Sequence, residues 1–394
     1  MMLEREVENK IKNMNMCIVK HTLTPKGGVE EELLNFLKGK VENLMYISHP
    51  FKEAEIIPLY TEIFAYKNGI LAKQIKMPLI LGPLVLFYIK DVLFTFWYIF
   101  KTGLVFDVFI GVDNLNALTG YLLKKAGRVR KVVFYVIDYS PKRFSNKLMN
   151  SIYHAIDRFV CCRVDRIWNL SDAMMEGRKE RGMNIKKCSP HITVPHGNRF
   201  KSIKRYDIDK IERHRIAYLG QLRKEQGAGK LIDIFYGIKN MVRDASLIVI
   251  GTGELEDSMR KRVDELNIGG SVRFAGFVED NSTYEELLAR SAVGIAPYPS
   301  DARGYKRYSD PGKIKTYLAC GLPVVTTNVP PIASKINDKK SGFAVDDDIK
   351  EIKDALFKLL TDDGLYKTYK ENAISMGSDY DWSNIFNNAL SLTL

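Results

Sequence analysis

The chain is poor in the residues that build metal centres and disulfide frameworks. Its 394 residues include 5 cysteines (Cys17, Cys161, Cys162, Cys188 and Cys320) and 6 histidines. The cysteine count is odd and no pair has CxxC spacing, which argues against both a disulfide scaffold and a zinc site. No HExxH is present, and no Asp-x-Asp can be placed on a ligand-facing loop; Asp346–Asp348 precedes a helical run and reads as a cap. The N-terminal stretch MMLEREVENKIKNMN is charged and lacks the apolar core of a secretory signal. A reduced, cytoplasmic setting is therefore expected. A spanning helix is also missing. Met77 to Ile89 is apolar, but Lys90-Asp91 interrupt before Val92 to Phe100, and neither piece approaches the ~20 residues that a bilayer requires. No tandem repeat of fixed period occurs.

What is present is ordinary globular composition, 46% hydrophobic and 27% charged, over a length that favours two domains. The net charge of +12 is unevenly spread. Residues 1–200 hold 30 Lys+Arg against 19 Asp+Glu, while residues 201–394 hold 29 against 28. The first half should thus face something anionic. Within it, Phe87, Tyr88, Phe94, Phe96, Trp97, Tyr98 and Phe100 crowd beside Lys73, Lys76, Lys90 and Lys101. This stretch reads either as a buried strand or helix or as an interfacial patch, since aromatic rings and snorkelling lysines suit a headgroup layer. A second docking candidate is the basic run Lys124, Lys125, Arg128, Arg130, Lys131, which reads equally as a solvated face.

Short β-rich runs alternate with longer amphipathic runs, the pattern of α/β domains with parallel sheets. Strands are expected at Met16–Lys20, Leu44–Ser48, Val108–Gly111 and Lys131–Ile137, with helices at Val29–Leu37, Leu115–Lys125 and Lys147–Phe159. The polar stretch from His196 to Arg213 reads as a linker, after which the alternation restarts at Arg215–Leu219 and ends in a helical tail, Leu365–Leu390. The expected division is 1–198, a linker over 199–213, 214–375, and a final helix over 376–394 returning to the first domain. Two doubly wound, Rossmann-like domains joined in this way create a cleft at the carboxyl ends of their strands, where ligands bind.

The strongest motif is the run from Ser309 to Thr327, SDPGKIKTYLACGLPVVTT. Pro311-Gly312 open a helix whose first backbone N–H groups attract an anion. Lys313 falls in the first turn, where the helix dipole disfavours a cation. A bound phosphate accounts for it. Gly251-Thr252-Gly253 follows the strand Leu247–Ile250, and Gly220 follows Arg215–Leu219. Asp113 and Asp138 follow first-half strands, and a carboxylate there is a credible general base. Helix capping is the alternative for both.

The run 309–327 resembles the donor-binding motif of glycosyltransferases with the GT-B fold, both the family-4 (group 1) enzymes and membrane-associated glucuronosyltransferase-like relatives. Their pattern is K-x-x-E/Q-Y-x-A-x-G-x-P-V-V. The resemblance implies that Lys313 contacts the donor diphosphate, beside Ser309, Asp310 and Gly312. Thr316 stands where the family has a ribose-binding Glu or Gln, and Tyr308 where the first Glu of E-x7-E would stand, so that pair is absent here. Ile216–Lys224 looks like the family's G-R-L loop, with Gln221 in place of Arg and Gln226 in place of Lys; Gly220, Gln221 and Arg223 would then line the donor. Gly251 and Gly253 match V-G-x-G-x-L. Phe277 and Val278, in FAGFV, match the loop that meets the nucleotide base. Tyr298, in APYP, leads into a loop carrying Arg303, Lys306 and Arg307. Gly27-Gly28 resembles the family's first turn, Asp165–Ser171 its strand and turn, His196-Gly197-Asn198 its domain crossing, and Trp382 the tryptophan of its last helix. An Asp placed like Asp138 acts as base in the glucuronosyltransferase-like relatives, so Asp138 leads the catalytic candidates and Asp113 follows.

The expectation is a metal-independent glycosyltransferase using a nucleotide sugar, UDP-linked ahead of GDP-linked, with no other cofactor. Its acceptor would be a polyprenyl-linked, glycolipid or polysaccharide hydroxyl. It would sit peripherally at the inner face of an anionic membrane and bind neither nucleic acid nor metal. The alternatives are a sugar-nucleotide epimerase or hydrolase on the same fold, and a non-catalytic binding protein.

Overall fold

The computed structural model describes residues 2–22, 28–51, 60–77, 83–301 and 306–394. Of the positions singled out above, Gly27 and Arg303 lie outside the described residues. The chain forms two units, Met1–Pro195 with Ser383–Leu394, and His196–Trp382.

The first unit runs α1 (Met2–Ile11), β1 (Asn15–Thr22), α2 (Val29–Leu37), β2 (Asn43–Pro50), β3 (Thr61–Lys67), β4 (Ile70–Met77), α3 (Leu84–Thr102), β5 (Phe106–Val112), α4 (Asn114–Lys125), β6 (Val129–Val136), α5 (Lys147–Cys161), β7 (Arg166–Asn169), α6 (Ala173–Glu180) and β8 (His191–Thr193). The strands form one sheet in the order β4-β3-β2-β1-β5-β6-β7-β8. Pairing is parallel from β2 to β8, whereas β3 and β4 join as an antiparallel hairpin at the edge. The central strands β1, β5 and β6 are buried over most of their length, because both faces of a parallel sheet are covered.

The hairpin interrupts the expected α/β alternation. Its strand β4, ILAKQIKM, is mostly exposed and carries no apolar face to betray it. The aromatic stretch is a helix: α3 covers the run from Leu84 and ends at Gly103 in the left-handed region. No helix among the described residues is long and apolar enough to cross a membrane.

The second unit runs β9 (Glu212–Leu219), α7 (Leu231–Met241), β10 (Ser246–Ile250), α8 (Glu256–Glu265), β11 (Val272–Gly276), α9 (Asn281–Ala289), β12 (Ser291–Ala296), α10 (Gly312–Cys320), β13 (Val324–Thr327), α11 (Ala333–Asp338), β14 (Gly342–Val345), α12 (Ile349–Thr361) and α13 (Asp363–Asp379). Its sheet is wholly parallel, in the order β11-β10-β9-β12-β13-β14. The last helix, α14 (Trp382–Ser391), returns to the first unit. There Phe386 meets Phe36 at 5.4 Å, and Trp168 Nε1 donates to Thr393 Oγ1 at 3.0 Å. The tail is therefore two helices rather than one. It breaks at Tyr380-Asp381 because Asn198 takes their backbone bonds: Asn198 N donates to Tyr380 O at 2.8 Å, and Trp382 N donates to Asn198 O at 3.1 Å. Trp382 packs on His196, ring centroids 5.2 Å apart.

In each sheet the strand order reverses once around the first central strand, between β1 and β5 and between β9 and β12. Such switch points open crevices at the carboxyl ends of the strands. Both candidate sites stand at these points.

Candidate functional site

In the second unit, β9 ends at Gly220 and β10 at Gly251, both with φ near +134°, where side chains are strained. Gly251 has no room for a Cβ, which would strike Gly220 O, and a Cβ at Gly220 would push on the end of Lys313, 2.8 Å from its Nζ. Gly253 lies equally close against the Leu222 backbone, whose N–H bonds Thr252 O at 2.9 Å. Tyr317 fixes the neighbouring strand ends: its hydroxyl accepts from Leu219 N at 2.6 Å and donates to Ile295 O at 3.2 Å. Gly312 begins α10 against the His196 ring, which a Cβ would overlap at 2.6 Å. Asp310 accepts from His196 N at 2.6 Å and pairs with buried Lys315. Burial, then Lys315, pushes the His196 pKa down to about 4, so this imidazole is neutral and structural.

Lys313 stands at the centre of this arrangement. Its Nζ is buried and makes no hydrogen bond among the described residues. It lies 4.5 Å from the Tyr218 ring centre and 5.3 Å from that of Tyr298. Burial, then the charge of Lys306, lowers its pKa to about 7. A buried cation beside a helix N-terminus and two glycine turns is costly by itself, and an anion would relieve all of these features together.

The remaining donor candidates are more loosely placed. Gln221 and Arg223 are exposed at the end of the β9 loop. Phe277 is 76% exposed next to Gly276, whose carbonyl accepts from Gly251 N at 2.8 Å, while Val278 packs against the core. Ser309 Oγ donates to Lys306 O at 3.1 Å. Thr316 Oγ1 donates back to Gly312 O at 3.2 Å, which ties it to its own helix. The Asp346–Asp348 carboxylates have structural partners: Asp348 caps α12, Asp347 pairs with Lys230, and Asp346 accepts from Asn328 at 2.9 Å.

In the first unit a cavity of about 710 Å³ lies beside the ends of β1, β5 and β6. Asp113 and Asp138 both line it, and they differ in setting. The Asp138 side chain is 49% exposed and accepts from Arg143 at 3.2 Å. Asp113 holds a strained backbone, φ 85°, as the N-cap of α4, accepting from Asn116 N at 2.9 Å. Its Oδ2 accepts from Asn116 Nδ2 at 2.8 Å and lies 2.7 Å from His21 Nδ1. Strain that the surroundings hold in place is characteristic of working residues. Capping and chemistry are thus both open to Asp113.

Behind Asp113 lies a buried polar cluster that the sequence reading missed. His21 Nε2 is 3.3 Å from Asp91 Oδ2. Asp91 Oδ1 is 2.9 Å from Lys90 Nζ and 3.3 Å from His49 Nδ1. His49 is also bonded to Thr61 and Thr95, each at 2.9 Å. Burial alone would lower the His21 pKa, but Asp113 and then Asp91 outweigh it and raise it to about 9. His49 moves down, with burial as the main cause. Burial would raise the Asp91 carboxyl, yet bonds from both histidines hold it below the carboxylate range. The charges then balance: two carboxylates, one imidazolium and one ammonium. The signal in the sequence was the Lys90-Asp91 pair inside an aromatic run, since a buried charge needs buried partners. Lys90 is consequently no surface lysine. In the basic run, Lys124 pairs with Asp165, Arg130 with Asp107, and Lys131 donates to Thr393 O at 3.0 Å.

Residues 201–376, nearly the whole second unit, match the family described as glycosyl transferases group 1. The chain is 28% identical over 146 residues to a chitobiosyldiphosphodolichol beta-mannosyltransferase of Candida albicans, a match covering 36% of this chain and 31% of that protein. It is 22% identical over 276 residues to an uncharacterized glycosyltransferase of Haemophilus influenzae, covering 70% of this chain and 72% of that one. The match to the Candida relative thus spans about a third of its length. The fold is that of Anabaena HepE, solved with UDP: TM-score 0.69, 16% identity, 96% of this chain and 99% of that one. The chain therefore has the GT-B fold, and its second unit resembles the group 1 glycosyl transferases.

Proposed function

Starting from that group 1 glycosyl transferase resemblance in the second unit, we propose that the chain moves a sugar from a nucleotide-diphosphate sugar to a hydroxyl of a membrane-associated, lipid-linked acceptor. The observation that carries this reading is Lys313, a buried amine at the start of α10 beside Gly220 that makes no hydrogen bond among the described residues. As the bond between sugar and diphosphate breaks, negative charge develops on the diphosphate, and Lys313 with the first N–H groups of α10 would meet it. The aspartates at 346–348 support a metal-independent step, because their structural partners occupy them. HepE binds UDP in its crystal, which favours a UDP-sugar ahead of a GDP-sugar.

The acceptor falls to the first unit. Its hydroxyl oxygen attacks the sugar carbon and gives its proton to Asp113, which the buried His21 and Asn116 hold in place. This reading puts Asp113 ahead of Asp138, and what supports it is their setting: Asp138 is half exposed and tied to Arg143, whereas Asp113 is strained and anchored.

Membrane association, at a cytoplasmic face, rests on α3. Leu86, Ile89, Leu93, Trp97 and Phe100 form one exposed stripe at helical spacing. Lys101 lies over Trp97 at 4.5 Å and Arg128 over Phe100 at 4.8 Å. Apolar rings flanked by cations match an anionic bilayer surface. Leu93→Glu with Lys101→Gln should reduce flotation with phosphatidylglycerol vesicles, and unchanged flotation would exclude this face.

The donor reading is tested by thermal shift against UDP and GDP. Lys313→Ala should weaken nucleotide binding by roughly tenfold to a hundredfold, the range for a charge-assisted bond. An undiminished shift would refute the site.

A further inference from the structure

The first-unit cavity has two kinds of wall. Its sides are apolar, built by Tyr88 and Val92 of α3, Leu115 of α4, and Met149, Ile152 and Ile156 of α5. Its floor is polar, where the strands end: His21, Asp113 and Asp138, with Glu30 from α2. At about 710 Å³ it falls within the range of small-molecule sites. An oligosaccharide carries hydroxyl groups all round, and each one buried here needs a partner that the sides do not supply. An aliphatic body needs none.

The bases at the floor are taken up by its acids. Glu30 Oε1 accepts from Lys20 at 2.9 Å, Asp138 pairs with Arg143, and Asp113 pairs with a His21 that is itself held by Asp91. A phosphate would find no surplus of positive charge there. The Asp113 carboxylate is a floor acceptor that stays part-exposed, its side chain 30% accessible. A ligand hydroxyl can donate to it and a hydrocarbon cannot. The rim continues the theme, because Val85 and Ile89 line the cavity and are also exposed on α3, Ile89 within the apolar stripe of that helix.

We infer that this cavity holds the apolar chain of the acceptor itself, an uncharged hydroxyl-bearing aliphatic or isoprenoid amphiphile, with its hydroxyl end at the Asp113 floor. The inference rests on the transferase reading above for the name acceptor, and on the cavity alone for the ligand. It narrows the acceptor to molecules whose hydroxyl lies close to their hydrocarbon. The chain passes between α3 and α5, and the stripe on α3 places the mouth where a bilayer would deliver it.

The test is calorimetric binding of 1-hexanol, 1-octanol and 1-decanol to the full chain, with methyl glucoside and cellobiose as chainless controls. Each added CH2 should tighten binding roughly threefold to fourfold, as for buried hydrocarbon. The chainless sugars should not bind. Ile156→Trp, which fills the cavity, should abolish the dependence on chain length; Val92→Phe provides the same test with a smaller disturbance. Leu93→Glu, on the outer stripe, should leave it intact. A flat series, a series that survives both filling variants, or one lost in Leu93→Glu would overturn the inference. The UDP and GDP thermal shift, run on the same proteins, keeps the two readings apart. A chain-length series without any nucleotide shift sinks the transferase reading and keeps the cavity assignment. A Lys313-dependent shift without a chain-length series does the reverse.

Discussion

The two units share an architecture and build their sites by opposite means. The second unit uses backbone. Positive-φ glycines at the ends of β9 and β10, Gly220 against Lys313 and Gly251 against Gly220, and a helix N-terminus accompany a single working side chain, Lys313. The first unit uses side chains. Asp113 from the end of β5 is held by His21 from β1, and His21 by Asp91 from α3, which also touches His49 from β2. Each part of the backbone site is announced by its own short string, a glycine at a strand end or the start of a helix, even though Gly220 and Lys313 lie far apart in the chain. The side-chain site has no such string: its members are single residues as many as 92 positions apart. The difference teaches that one substitution should remove one function from the second unit, whereas in the first unit it should disturb function and stability together.

The largest expected effect is on transfer. Asp113→Asn keeps the cap, and Asn tolerates positive φ better than most residues. It should lower the transfer rate by about 10²–10⁴-fold, the usual contribution of a general base, while the nucleotide thermal shift stays unchanged. Asp138→Asn should cost less than tenfold. If radiolabelled transfer shows the reverse order, the sequence preference for Asp138 was the better reading.

Next comes stability. Asp91 is wholly buried and faces Lys90, His21 and His49. Asp91→Asn leaves two buried cations short of a counter-charge, and breaking such a pair costs about 3–5 kcal/mol. Urea unfolding of the variant should show that loss in the first unit. A loss under about 1 kcal/mol would mean that the cluster is dispensable and the contrast between the units is false.

The same contrast explains what could be read in the sequence. The parallel α/β rhythm, the switch to a second unit and the elements around Lys313 were legible because each lies within one contiguous pattern. What the sequence could not show is that Lys313 is buried and makes no hydrogen bond among the described residues. The β3–β4 hairpin was not legible, because exposed strands such as β4 carry no apolar alternation. The break at Tyr380-Asp381 was not legible either, because its cause, Asn198, lies far away in the chain. His21 and His49 stand one position beyond the expected strands Met16–Lys20 and Leu44–Ser48, and nothing local marks either of them. Only the pairing of β1 with both β2 and β5 shows that they converge on Asp91 and Asp113. Lys90 stayed open between a buried and an interfacial setting for the same reason: the partners that bury it, Asp91 and the two histidines behind it, meet only in the fold.

The smallest expected effect is a pH dependence that runs in the same direction in both units for different reasons. In the first unit the His21 pKa is raised to about 9 from an ordinary value near 6.5. A raised pKa means that the folded state holds the proton more tightly. Its contribution is complete below about pH 6.5 and is lost as pH rises toward 9. In the second unit the Lys313 pKa is lowered to about 7, so the free protein is already half neutral there at pH 7. A diphosphate needs the charged form, so binding should take up a proton above that pH. Affinity should be level below about pH 7 and fall by up to tenfold per unit above it, until the pKa of the complex is reached. Calorimetry of UDP or GDP binding at pH 8, in buffers of different ionisation enthalpy, reads that proton directly. Lys313→Arg should abolish the uptake, because a guanidinium stays charged throughout. Proton uptake that persists in Lys313→Arg would move the titrating group elsewhere and leave the second unit without its single working side chain.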